Sequence, residues 1–275
     1  ASLRPLSCPG TTRSATSTIP VGSFDTPRFY PIQGRQLPSV TTILRVISKP
    51  QLVSWAAKME REAAGIVLLD MLTSPPKGLD RDAFYQEFES RLKSAKAAQA
   101  IKEEAANIGK AVHAAIEGWA MGKVPEGLEG PAELAFNAYL DWEKTCGVTC
   151  PRVEEKVYSL KHGYAGRADL IALVRGVPTV LDWKVAKGVY AEYHLQAVAY
   201  TRAAREMGLD VGGKGPPVQA MIVRIPKVAG DALEVVAVPD DDDTFQAFLS
   251  AKILWTHLNP SATAKAEAKA AKEAK

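Results

Sequence analysis

The chain has 275 residues, 47% hydrophobic and 24% charged, which suits one large domain or two small ones and excludes bulk disorder. No apolar run approaches the roughly 20 residues needed to cross a bilayer, so a soluble protein with no membrane partner is expected. The net charge of +3 is too small to announce a polyanionic partner, but residues 1–62 hold eight Lys/Arg against three acids; that surplus fits either a phosphate-binding surface or a solvated basic face.

Residues 1–24 are rich in Ser, Thr and Pro and contain no acid, and the whole of 1–38 is expected to be a flexible N-terminal segment. It has no apolar core of a secretory signal, while its acid-poor, Arg- and Ser-bearing composition also fits an organellar transit remnant. Ser39-Val40-Thr41-Thr42-Ile43-Leu44 offers hydroxyl caps ahead of an apolar run, and Pro50 opens a helix through about residue 69. Pro75-Pro76-Lys77-Gly78 stops it. Helices over 82–99, 101–121 and 131–145 follow from their Ala, Glu and Lys content and apolar spacing. At Pro151 the period turns strand-like: 152–160, 164–174 and 177–184 predict three antiparallel strands punctuated by His162-Gly163 and Arg175-Gly176. A helix over 191–207, strands near 218–225 and 232–238, and a helix over 244–257 complete the pattern. Residues 265–275 alternate Ala with Lys and Glu without an apolar stripe, which predicts a frayed helical tail, with the tail segment taken from 259 onward. The body, 39–258, is expected to be one domain, helical over 39–150 with a sheet core over 151–258.

Three cysteines, Cys8, Cys146 and Cys150, are too few for a disulfide framework and fit a reducing compartment. Cys146 and Cys150 lack the two further thiolates of a closed metal or iron–sulfur site.

The sharpest inference comes from the second hairpin. If Arg175-Gly176 form a two-residue turn, Val174 pairs with Val177, and counting back along both strands places Asp169 opposite Asp182. Two carboxylates facing each other inside apolar strands repel and resist desolvation. Side-chain alternation puts Lys184 on the face of Asp182, with Leu181 and Trp183 on the other. A divalent cation is a natural partner for such acids, and the ammonium could orient a water or stabilise developing phosphate charge. A buried Asp–Lys ion pair beside a strand-end Asp would account for the same residues. Upstream, His113 and Glu117 stand four apart on a helix of small residues, and Gln196 and Tyr200 repeat that spacing downstream.

As a set, Gly109-x3-His113-x3-Glu117, Glu154-Glu155, Gly166-Arg167-Ala168-Asp169, Asp182-Trp183-Lys184 and Gln196-x3-Tyr200 resemble the RecB-type branch of the PD-(D/E)xK nucleases in order and spacing. The likeness runs from about residue 39 to 200. Its first part, residues 38–44 with Leu52-Val53-Ser54-Trp55-Ala56-Ala57, is similar to phage exonucleases of that branch and to the mitochondrial genome maintenance exonuclease. The resemblance implies an α/β fold with a restriction-endonuclease-like core, a central mixed sheet flanked by helices, and a helical N-terminal half. It implies Mg2+ or Mn2+ held by His113, Asp169, Asp182 and the main-chain carbonyl of Trp183, and Lys184 acting on the attacking water. Gln196 and Tyr200 would support the site and the bound strand, with Glu117 and Glu154 or Glu155 as accessory groups. No iron–sulfur cluster is expected, because the four cysteines of cluster-bearing relatives are missing.

The expected activity is hydrolysis of DNA phosphodiesters, exonucleolytic rather than endonucleolytic, on single-stranded or processed ends in replication, recombination or repair. The expected setting is the cytoplasm of a bacterial or phage-infected cell, with the mitochondrion as alternative. A recombinase, single-strand-binding protein or helicase would be a separate partner, since no Walker motif is present. Rival readings are a non-catalytic DNA-binding module that keeps the fold, and a hydrolase of smaller phosphate esters. Trp55 and Tyr85 could stack on bases, though Trp55 also fits a core position beside Leu52 and Val53. Asp240-Asp241-Asp242-Asp243 is read as helix N-terminal acid complementing the macrodipole, not as a metal site. His162 and His194 receive no role.

Overall fold

The computed structural model describes residues 27–47, 49–74, 80–95 and 97–273. The expectations for 1–26 and for the breaker at 75–78 therefore lie outside the described residues. The chain forms two compact units, Ala1–Ile47 with Gly109–Lys275, and Ser48–Ile108; the sequence-based division into a helical 39–150 and a sheet core 151–258 thus cuts through the first unit.

The first described elements are β1 (Phe29–Ile32) and β2 (Arg35–Pro38), an antiparallel hairpin that corrects the flexible-segment reading over 29–38. Gln33 and Gly34 both have positive φ, 46° and 73°, the geometry of a tight primed turn. Tyr30 and Leu37 anchor the hairpin by burying their side chains with Ala165. Ser39 then caps the short α1 (Val40–Ile43), its hydroxyl accepting the Thr42 amide at 3.0 Å, and a 3-10 turn (Leu44–Val46) follows.

In the unit Ser48–Ile108 the described elements are helices: α2 (Pro50–Thr73), α3 (Arg81–Ala95) and the first half of α4 (Ala97–Ala120). Arg91 braces it, reaching Glu87 on its own helix and Asp70 on α2, both at 2.8 Å. Ala63 and Met71 are buried, Trp55 is half-buried, and Val53, Ile66, Leu69, Leu72 and Tyr85 are exposed.

The larger unit continues with the end of α4 and α5 (Gly130–Cys146), closed by left-handed Gly147. Its sheet contains β3 (Val148–Ser159), β4 (Tyr164–Val174), β5 (Val177–Val185), β6 (Gln219–Ile225) and β7 (Glu234–Val238), adjacent in that order. β3 starts before residue 152 because Pro151, which cannot donate to a ladder, is taken up in a bulge between Thr149 and Arg152 on this edge strand. β4 runs antiparallel to both of its neighbours, β3 and β5, as expected. β5 and β6 are parallel, which requires the crossover that α6 (Ala191–Glu206) supplies. α7 (Asp242–Leu258) packs on α6, and together they cover one sheet face with Ala197, Ala203, Phe245, Phe248 and Trp255. On the other side of β5, Trp183 meets Tyr139 of α5 edge-to-face, centroids 5.8 Å apart. α8 (Pro260–Glu273) packs against β2 and buries Ala266, so the segment expected to fray is a docked helix.

Candidate active site

The Arg175-Gly176 turn is the two-residue turn that the sequence argument required, with φ of 50° and 78° and Val174 paired with Val177. The ladder holds to Leu170 opposite Leu181 and ends there, one pair before the two aspartates meet. On the other side of β4, β3 pairs Val153 with Leu170 and Glu155 with Ala168, skipping Glu154 and Asp169; Glu154 itself has a left-handed φ of 53°. The sheet thus opens around Asp169 on both sides. In place of a ladder partner, the Asp169 carboxylate accepts the Trp183 amide at 2.8 Å.

Asp182 is fully buried. Its Oδ1 accepts a hydrogen bond from Gln196 Nε2 at 2.8 Å, and Gln196 also reaches the Tyr200 hydroxyl at 3.3 Å. Its Oδ2 lies against the Lys184 ammonium and accepts no hydrogen bond of normal geometry. Burial pushes the Asp182 carboxyl above its ordinary range; Lys184 pulls it back and the charge of Asp169 adds to the push. The Lys184 ammonium is fixed further by the Tyr193 ring, whose centroid is 5.1 Å away. Burial also drives the Tyr200 phenol far above its usual value, so it stays protonated.

Gly166 shows why the motif needs glycine. A Cβ there would come within 2.3 Å of the Tyr200 ring, so only a bare backbone lets α6 approach β4 and deliver Gln196 to Asp182.

His113 approaches from α4. Its Nε2 is 3.1 Å from the Trp183 carbonyl, a contact that requires a proton on Nε2 when the ring is neutral and leaves the Nδ1 lone pair facing Asp169 Oδ1, 3.9 Å away. Two acceptors pointing into one gap call for a cation between them. The carboxylate and carbonyl oxygens suit Mg2+ or Mn2+, and the imidazole adds a nitrogen donor that Mn2+ accepts more readily than Mg2+. Among the described residues no three His, Cys, Asp or Glu side chains form a closed metal cage; Asp182 is engaged by Lys184 and Gln196, and His113 leans on the carbonyl.

Glu154 and Glu155 separate cleanly. Glu154 pairs with Arg167, and burial, with the charges of Asp169 and Glu117, raises its pKa to about 7 against the pull of Arg167. Glu155 instead lies 4.0 Å from Arg152. Glu117 is half-buried one turn beyond His113 and reaches the site through its charge on Glu154.

Sequence reasoning missed a supporting network behind Trp183. Buried Glu143 accepts the Trp119 indole N–H at 2.6 Å and the Tyr139 hydroxyl at 3.2 Å, tying the helix of His113 to α5, whose Tyr139 packs on Trp183. The His113 ring also meets Trp183 edge-on at 5.7 Å. Tyr139 and Glu143 are four apart, the spacing that singled out Gln196 and Tyr200, and that signal was available. The Asp240–Asp243 run stands at the start of α7 as the helix N-terminal reading expected, and Asp241 caps the helix by accepting the Thr244 amide at 2.6 Å.

Residues 82–271 match the family model of the PD-(D/E)XK nuclease superfamily. The chain belongs to this superfamily. No curated protein matches the chain. The superfamily assignment makes it a phosphodiesterase of nucleic acid, generally served by divalent metal. Its mixed five-stranded sheet flanked by helices, with a helical N-terminal region, is the fold of a PD-(D/E)XK nuclease. No described helix is long and apolar enough to cross a membrane.

Proposed function

We propose that the protein is a divalent-metal-dependent DNA exonuclease that acts from single-stranded or processed ends. The observation that carries the catalytic reading is the buried Asp182, held between Gln196 and Lys184 and adjoining Asp169, His113 and the Trp183 carbonyl. Asp169, Asp182, the Trp183 carbonyl and His113 would hold Mg2+ or Mn2+. A bound cation lowers the pKa of an attacking water and offsets charge on the scissile phosphate.

The protein's own groups supply the rest. Lys184, anchored on Asp182, orients the nucleophile and offsets charge growing on phosphorus. Gln196 keeps Asp182 in one rotamer, and the protonated Tyr200 phenol supports Gln196. Glu154 and Glu117 lie close enough to tune the local charge. Exonuclease action rests on the motif order shared with the RecB-type branch. A separate recombinase, single-strand-binding protein or helicase would present the DNA end, and the cytoplasm of a bacterial or phage-infected cell is the proposed setting.

The test is a gel of end-labelled linear and circular single strands with Mg2+ or Mn2+, for the wild type and Lys184→Ala. Loss of the linear strand alone, and only with wild type, is expected. Circles cut as fast as linear strands would remove the exonuclease assignment, and an active Lys184→Ala would remove the site.

A further inference from the structure

A second constellation lies at the β3–β4 turn, away from the acids. Gly163 has a left-handed φ of 68°, and its amide bonds the Ser159 carbonyl at 2.9 Å. Over the bare Cα sit two cations: the position of a Gly163 Cβ lies 3.4 Å from Arg35 Nη2 and 3.6 Å from Lys252 Nζ. Those distances bound their separation at 7 Å. Arg35 comes from β2 and Lys252 from α7, elements far apart in sequence, and exposed Lys161 adds a third cation on the same turn.

Like charges at this spacing cost free energy unless something neutralises them. Among the described residues neither Arg35 nor Lys252 has a carboxylate partner. Arg35 donates to the Leu160 carbonyl at 3.0 Å. Lys252 is half-buried, and both burial and the charge of Arg35 depress its pKa, with no acid opposing them. The neighbouring acids are engaged elsewhere: Glu206 accepts the Lys161 amide at 3.0 Å, Asp240 holds Arg202 and Arg205, and Asp242 holds Arg202. The arrangement is a bare backbone under two neighbouring donors, on a turn where Arg35 and Lys161 are exposed.

We propose that Arg35, Lys252 and the Gly163 turn form a cradle for a backbone phosphate of the nucleic-acid strand, remote from the scissile bond. This rests on the nuclease reading of the Asp182 site and extends it. Five residues of β4 separate Tyr164 from Asp169, about 17 Å at 3.4 Å per residue. That span takes several consecutive phosphates of one strand, more than a small diester carries. The cradle therefore engages a polynucleotide and has no hold on a small diester at the catalytic acids.

The test is anisotropy of a labelled 20-nucleotide single strand in EDTA, titrated with salt, for wild type, Lys252→Gln and Arg35→Gln/Lys252→Gln. Loss of two phosphate contacts predicts about tenfold weaker binding for the double variant near 0.1 M salt. It also predicts a log–log salt slope smaller by about 1.4, with half that slope change for Lys252→Gln alone. Hydrolysis of bis(p-nitrophenyl) phosphate with Mn2+ should be unchanged in Lys252→Gln. Lys252→Gln should melt no lower than wild type, so the single variant carries the test even if loss of the Arg35 brace to Leu160 unfolds the double. Unchanged affinity and slope would overturn the cradle. So would calorimetry in which Lys252→Gln loses inorganic phosphate but binds the strand normally, since the site would then serve free phosphate. A wild type that cleaves DNA while Lys252→Gln binds it equally well defeats only the cradle; a wild type that neither binds nor cleaves DNA defeats the nuclease reading.

Discussion

The protein carries two groups of aspartates near basic residues, and they are built on opposite principles. At Asp169 and Asp182, acids are drawn into the sheet, where burial and mutual repulsion raise the pKa of Asp182 and one carboxylate oxygen lacks a normal hydrogen bond. At Asp240–Asp242, acids sit at a helix start and are neutralised outright: Arg202 and Arg205 bind Asp240 at 2.7 and 2.6 Å, Arg202 binds Asp242 at 2.8 Å, and the Thr244 amide and hydroxyl satisfy Asp241. The second group is satisfied internally and stabilises; the first is left electrostatically incomplete, as a site that must accept a ligand has to be. Composition does not distinguish them, but the backbone that carries them does.

The comparison is broken most directly by removing one acid from each group. Asp182→Ala should lower DNA cleavage by about 10²- to 10³-fold or more, the scale lost when a preorganised electrostatic group is removed, while the fold survives because a desolvated charge has gone. Asp240→Ala should leave cleavage unchanged and lower the melting temperature modestly, because it removes the carboxylate shared by Arg202 and Arg205, partly exposed pairs worth about 1 kcal/mol or less each. Rates under saturating metal, paired with thermal melts, read both effects. Equal activity of the two variants would dissolve the distinction.

Much of this site was legible because its elements obey local rules. The Arg175-Gly176 turn fixed the register of the β4–β5 hairpin, and alternation placed Lys184 beside Asp182; both are near-neighbour inferences. The α6 contribution, Gln196 and Tyr200, came through spacing and resemblance. What stayed hidden depends on contacts between segments far apart in sequence. The hairpin at 29–38 is held by burial of Tyr30 and Leu37 with Ala165, and nothing local announces a partner more than a hundred residues away. The docking of α8 on β2 is hidden for the same reason. The opening of the sheet at Asp169 could not be read either, since extrapolating the register predicts continued pairing where the ladder stops.

Gly166→Ala sharpens the comparison without touching a charge. The added methyl would overlap the Tyr200 ring at 2.3 Å, and because β4 is backbone while Tyr200 is fully enclosed, neither yields easily. Overpacking of this kind costs about 1–3 kcal/mol, and the displaced α6 would carry Gln196 away from Asp182. A lower melting temperature together with a reduced cleavage rate is expected. Reduced stability with a wild-type rate would show that Gln196 does not position Asp182.

The smallest effect contrasts the surroundings of the two groups by the sign of their pH dependence, read at Glu154 beside Asp169 and at Asp241. Glu154, pushed up to about 7 mainly by burial, contributes stability below the ordinary carboxylate value near 4.5, where it is protonated in both folded and unfolded chains. That contribution is lost as pH rises through 7, because only the folded state resists ionisation. Asp241 is shifted the other way by the Thr244 amide and hydroxyl; its contribution is present above 3.8 and disappears as pH falls through its depressed folded value. Melting curves in chelator from pH 4.5 to 8 isolate the first effect. The melting temperature of Glu154→Gln minus that of wild type should be smallest near pH 4.5, grow toward 7 and then level off. A difference that stays flat over that range would mean that Arg167 fully offsets the burial of Glu154, and that the charge stored beside Asp169 is less than its surroundings imply.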